Sequence, residues 1–217
     1  MAKVTGPLMS FGASGQIGKG IVMGNWRGVK YARSYVKPAN PQTNAQQANR
    51  ALFAFMREMW KLAPSIVADA WNAFAAGRPF TGMNKWVGEN VRVIGSATDL
   101  QDLIGSPGAR GGLPPSAFAA VTGGGSGEIN VTFTAPTPPA GWTIAKAQCF
   151  AVHDQDPHGI FDGVFIANED STSPYAITLT GLGSAKPCVV CGWLKWTKPD
   201  GSLAYSVSLL DTATSGA

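Results

Sequence analysis

The first 57 residues contain no acidic side chain. Charge is scarce everywhere: Asp, Glu, Lys and Arg make up 14% of the 217 residues, while hydrophobic residues make up 45%. Ordinary soluble domains are roughly 25% charged. Such a chain is either covered over part of its surface in a permanent assembly, or is β-rich with a Ser, Thr and Gly surface. No run of about 20 apolar residues exists, so no transmembrane helix is expected. Lys3, Thr5, Gly6, Pro7 and Ser10 leave no apolar core for a secretory signal, which predicts a product made and kept in a cytoplasm. Three cysteines, Cys149, Cys188 and Cys191, are an odd number and argue against a closed disulfide framework. No catalytic signature is present, so neither an enzyme nor a cofactor is expected.

What charge there is falls unevenly. Residues 1–115 carry 13 Lys/Arg and 5 Asp/Glu, whereas residues 116–217 carry 4 and 8. A basic half joined to an acidic half implies two environments. It also permits the basic part of one copy to meet the acidic part of the next.

Glycines punctuate residues 1–37, with short apolar runs between them. Ile21, Val22 and Met23 form one candidate strand and 29–36 a second. Gly24, Asn25 and Gly28 supply the turn chemistry of a β-hairpin. In the second strand Tyr31, Arg33 and Tyr35 share one face, and Lys30, Ala32, Ser34 and Val36 the other. A two-stranded ribbon is marginal in water, so this arm must lie on helices or on a neighbouring subunit. Lys19, Trp26, Arg27, Lys30, Tyr31, Arg33, Tyr35 and Lys37 are the candidate partner-binding residues. Arg, Tyr and Trp anchor protein interfaces, and the same mixture suits phosphate contacts and base stacking. The alternative is a solvated basic hairpin whose aromatics pack on its own helix. Residues 10–20 superficially resemble a phosphate loop. Ile21 stands where the lysine of GxxxxGK[ST] belongs, and no helix follows, so nucleotide binding is rejected.

Pro38 and Pro41 push Lys37 and Asn40 out of the helical region. Asn40 is the expected N-cap and Pro41 the first residue of a helix over 41–63. Ala45, Ala48, Leu52, Phe55, Met56, Met59 and Leu62 recur at helical spacing and mark its apolar stripe. Pro64 ends it. Ser65 caps a second helix over 66–76, with Ile66, Val67, Ala70, Trp71 and Phe74 inward and Gly77 as terminator. A third helix over 83–93 turns Trp86, Val87 and Val91 inward.

Residues 95–115 are too rich in Gly and Pro for helix or strand, and a domain boundary is expected there. Beyond it the pattern alternates. Strands are predicted over 117–121, 128–134, 144–153, 160–167, 175–182, 188–197 and 203–209, separated by turn residues. Seven short strands in about a hundred residues predict a β-sandwich. Cys188 and Cys191 have metal-pair spacing, but residues three apart on a strand point oppositely, so buried thiols are expected. His153, Asp154, Asp156 and His158 could in principle ligate a metal. Asp, Pro and Gly there are ordinary turn residues, and a turn is the expectation.

The strand order resembles fibronectin type III and immunoglobulin-like modules, with Trp142 and Leu182 in fitting places. Cys188 stands where such modules carry a corner tyrosine, and the Cys–Trp–Cys pattern of antibody domains is absent. The N-terminal half resembles an uncharacterised family of phage and prophage proteins. The likeness rests on Gly15 and Gly18, on Asn25-Trp26-Arg27-Gly28, Tyr31-Ala32-Arg33 and Asn40-Pro41-Gln42-Thr43, and on Gln46 or Gln47 and Arg50. Trp71-Asn72 and Gly82-Met83-Asn84-Lys85-Trp86 extend it over roughly residues 5–94. The resulting expectation is an α+β chain: an N-terminal β-hairpin arm plus two or three helices (1–94), a linker (95–115) and an all-β immunoglobulin-like sandwich (116–217). The resemblance implies a homo-oligomeric virion component assembled in the host cytoplasm. It would decorate or cement the capsid, or build the neck or tail, with other virion proteins as partners. Nucleic acid is the lesser partner, and no metal, membrane or cofactor is implied.

Overall fold

The computed structural model describes residues 3–4, 13–26, 29–37, 39–95, 97–108 and 111–217. The chain divides into two compact units, Met1–Gln42 and Thr43–Ala217.

The first unit is a four-stranded antiparallel meander, larger than the expected hairpin. Its strands are β1 (Lys3–Val4), β2 (Ala13–Ile17), β3 (Ile21–Trp26) and β4 (Val29–Ser34), in that spatial order. Gly18, Lys19 and Gly20 turn the chain from β2 to β3, with Gly18 at φ 56°. An antiparallel strand, not a helix, thus follows the glycine-rich stretch. Among the residues of this unit whose burial is described (14–25, 29–37 and 39–42) none is buried.

The second unit opens with α1 (Asn44–Leu62), α2 (Ser65–Ala75) and α3 (Gly82–Ile94). The cap of α1 is Thr43, not Asn40: its side-chain oxygen accepts from the Gln46 N–H at 3.4 Å. Thr43 and Gln46 have the spacing of a capping box, and Gln42 sits at φ 49°, outside the helix. The apolar stripe is also shorter than expected. Leu52, Phe55, Met56 and Met59 are buried, but Ala45 and Ala48 are exposed and Leu62 is 58% exposed. On the two later helices Val67, Ala70, Trp71, Trp86 and Val87 are buried as expected, while Ile66, Phe74 and Val91 are only partly covered.

Among the described residues eight further strands build two sheets. One holds β5 (Ala117–Thr122), β6 (Ile129–Thr134) and β9 (Ala176–Leu179), in the order β5-β6-β9. The other holds β7 (Thr143–His153), β8 (Phe165–Asp170), β10 (Pro187–Thr197), β11 (Leu203–Tyr205) and β12 (Leu209–Thr214). Its order is β11-β10-β7-β8, with β12 also on β10. The sheets face each other across Ile129, Val131, Phe133, Ile177 and Leu179 on one side and Ala147, Cys149, Ala151, Val190 and Leu194 on the other. The fold is α+β with a β-sandwich. The strand predicted over 160–167 begins five residues late, because Phe161 is spent on the core and the loop runs on to Val164. The last predicted strand is broken in two at 206–208, and the sequence reading missed β12.

The larger sheet is covered on its other face as well. Phe150, Val152, Val189, Cys191 and Trp193 share one continuous core with Leu52, Phe55, Met56, Trp71 and Trp86 of the helices. Successive residues of β7 and β10 therefore point into two different cores. This is why the stretches 149–152 and 188–194 within them are continuously apolar, while β6 and β9 alternate.

The described residues of 95–115 are accordingly not a linker, and the boundary between compact units lies instead at Gln42/Thr43. The segment is a strap packed between helices and sheet. Leu100 and Leu103 are buried in the shared core. The Trp71 indole N–H donates to the Gly105 carbonyl at 2.8 Å, and that of Trp86 to the Ile104 carbonyl at 3.1 Å. Trp196 donates to the Leu113 carbonyl at 3.0 Å. Fully buried Asn90 accepts from the Ile104 N–H at 2.7 Å and donates to the Trp86 carbonyl at 3.0 Å. Glycine is needed for closeness: a Cβ at Gly105 would stand 2.7 Å from the Phe150 ring and 3.0 Å from Cys191 Cβ.

Trp71→Phe removes the indole donor and strands a buried carbonyl, so unfolding in urea should lose about 1–3 kcal/mol. Helix circular dichroism and tryptophan fluorescence should still change together. Two separate transitions would restore the boundary at 95–115.

Candidate functional site

The candidate partner-binding residues that are described lie in or beside the N-terminal sheet. Cross-strand partners share a face, so the register sorts the side chains. Gly24 pairs with Tyr31, Val22 with Arg33 and with Gln16. These residues form an aromatic face. Tyr31 lies across Gly24, where an added Cβ would come within 2.7 Å of its Oη. The Arg33 guanidinium stands 6.0 Å from the centre of the Tyr31 ring, near the outer limit for a cation–π contact. Tyr31 is 42% exposed. Tyr35 continues the same alternation and donates its N–H to the Gly20 carbonyl at 2.7 Å.

The opposite face is aliphatic. Ile17 pairs with Ile21, and Met23 with Ala32. Lys30 lies on this face opposite Asn25, and Lys19 occupies the exposed turn between β2 and β3. Lys37 is exposed beyond β4. Trp26 is the last residue of β3, and Arg27 lies outside the described residues. The sheet thus brings Tyr31, Arg33 and Tyr35 together and separates them from Lys30. Sequence reasoning missed the aliphatic face because it missed β2. The available signal was Ile17 followed by Gly18-Lys19-Gly20, a turn that brings Ile17 opposite Ile21.

The lack of a buried residue among those whose burial is described has an energetic consequence. Ordering a residue costs about 1–2 kcal/mol of backbone entropy, and a typical hydrogen bond returns only about 0.5–1.5 kcal/mol net. Without buried apolar area the sheet has little to offset that cost.

In the second unit the sequence candidates serve structure. Cys188 and Cys191 fall on opposite faces of β10, Cys188 in the sandwich core and Cys191 in the core shared with the helices. Burial and the nearby Asp154 push the Cys188 thiol up to about 11, and burial raises Cys149 and Cys191 further. His153 Nε2 lies 2.5 Å from the Leu182 carbonyl, and Asp154 accepts from the Leu100 N–H at 3.0 Å. His158 Nδ1 lies 3.3 Å from Asp156 Oδ1. Among the described residues no three His, Cys, Asp or Glu groups gather as metal ligands.

A cleft of about 560 Å³ lies beside the strap, walled by Trp71, Phe74, Leu103, Pro107 and Val207. On it Glu89 pairs with both Lys85 and Arg92, whose hydrogen bonds hold its carboxyl below the usual range. On β8, burial pushes Glu169 upward, but hydrogen bonds from Lys146 and Gln148 outweigh it and leave the carboxyl below its ordinary value. Gln148 in turn accepts from the buried Trp193 indole at 3.0 Å.

No family model matches this chain, and no curated protein matches it. Among solved structures it is similar to the product of a computer-based redesign of a β-sandwich protein. The two are 20% identical, over 48% of this chain and 90% of that chain, with a TM-score of 0.34. A likeness of that degree identifies neither a family nor an activity.

A folded-state value below the ordinary one means that Glu169 stabilises the fold above about pH 4.3, the unperturbed glutamate value. That contribution is lost as pH falls through the depressed value. Urea unfolding of wild type and Glu169→Gln should differ near neutral pH and converge in acid. A gap that widens on acidification would contradict the assignment.

Proposed function

We propose that this chain is a structural protein of a bacteriophage particle, decorating or cementing a capsid, with a neck or tail position as the alternative. The observation that carries this is the N-terminal sheet: basic, aromatic, and without a buried residue among those described. Such an element gains its missing buried area from a surface that another protein supplies. The phage resemblance of residues 5–94 points to a virion lattice as that surface. Tyr31, Arg33 and Tyr35 are the contact residues, with the exposed first turns of α1 beside them in sequence. The C-terminal unit, with its two cores, is the rigid body held against or between lattice subunits. A homo-oligomeric arrangement and assembly in the host cytoplasm belong to the same reading.

The charge of the first 57 residues favours a second reading, in which the same sheet binds nucleic acid through its phosphates. That affinity would fall steeply with salt, in proportion to the phosphates neutralised.

Purified chain mixed with phage shells and with tails, then imaged by electron microscopy, should add density at regular sites on one of them. The Tyr31→Ala/Arg33→Glu variant should lose it. A wild-type chain that decorates neither rejects the particle reading. Salt-sensitive retention of duplex DNA under those conditions would favour the second one, and no retention at low salt would remove it.

A further inference from the structure

The loop between β7 and β8 holds one aliphatic side chain out in solvent. Ile160 is 87% exposed, yet its neighbour Phe161 is buried and meets the Phe55 ring edge-on at 5.4 Å. Pro157 is buried too, and Asp156 accepts from the His158 N–H at 2.9 Å. A loop pinned on both sides of its tip loses little freedom when the tip is covered. Asp156 and Asp162 flank Ile160, and both are exposed. An apolar tip between carboxylates matches an apolar surface with a cationic rim.

The aliphatic face of the N-terminal sheet has that chemistry. Ile17 is 37% exposed and Ile21 47%, with Lys19 at one end and Lys30 towards the other. Two such sheets set face to face would oppose like charges. Sheet against loop pairs unlike ones.

We infer that the Ile160 tip of one copy docks on the aliphatic face of the N-terminal sheet of a second copy, with Asp156 and Asp162 against Lys19 and Lys30. The contact is heterologous, since each copy offers one surface of each kind. Repeated head to tail it builds a ring or filament, and made reciprocally it closes a two-fold dimer. The four strands, of two, five, six and six residues, span roughly 300 Å² in projection, below the roughly 800 Å² per partner of a standard interface. The contact is accordingly weak and reversible for one pair, and firm only in an array. It does not depend on the particle reading, which uses the aromatic face.

Sedimentation velocity of the purified full-length chain tests this. Wild type should form larger species as concentration rises, and salt should weaken them. Ile160→Glu and Ile21→Glu should each weaken association at least about tenfold, the loss expected of a central anchor. Mixed together, the two variants should form a one-to-one heterodimer, because each keeps the surface the other lacks. That complementation also shows that both variants fold. A wild-type chain that stays monomeric at all concentrations overturns the inference. So does association that Ile21→Glu abolishes and Ile160→Glu leaves intact, which would mean sheet-on-sheet pairing.

Discussion

The strap formed by residues 97–108 and 111–113 is the element on which the second unit depends. A two-sided sheet needs a cover for each face. The smaller sheet covers one, and three helices cover the other. The strap passes between helices and sheet at backbone distance. Its carbonyls take the indole N–H groups of Trp71, Trp86 and Trp196, and Asn90 satisfies its amide at Ile104. Burying three tryptophans is favourable only if each N–H finds a partner. Conversely, a buried loop is tolerable only if its carbonyls do. Each solves the other's problem.

The N-terminal sheet is built on the opposite principle. Its ladders are regular, yet none of its residues whose burial is described is buried. Nothing among its described residues supplies the apolar burial that holds the second unit together. The contrast is plain: one part has its own core, and the other has no buried residue among those whose burial is described. The charge follows the same division, with six Lys and Arg and no acid in residues 1–42.

Much of this was legible in the sequence, for definite reasons. The three helices announced themselves through stripes such as Leu52, Phe55, Met56 and Met59, and the sandwich through alternation and turn residues. The opposed faces of Cys188 and Cys191 followed from strand geometry. The strap was misread because glycine and proline signal irregular backbone, not exposure. Gly105 is small so that Phe150 can approach, and that requirement appears only once the sheet is in place. The cap at Thr43 was hidden by the stronger-looking Asn40-Pro41 pair, although Thr43 and Gln46 spell a capping box. The aliphatic face of the first sheet needed the pairing of β2 with β3, a register that local pattern does not fix.

One unit has its own core, and the other is a sheet with no buried residue among those whose burial is described. Hydrogen–deuterium exchange of the isolated full-length chain measures that difference strand by strand. Amides of β7, β10 and the three helices should be protected to a common, high free energy. Those of β2, β3 and β4 should exchange orders of magnitude faster at low concentration. N-terminal strands as protected as β10 in the lone monomer would contradict the account.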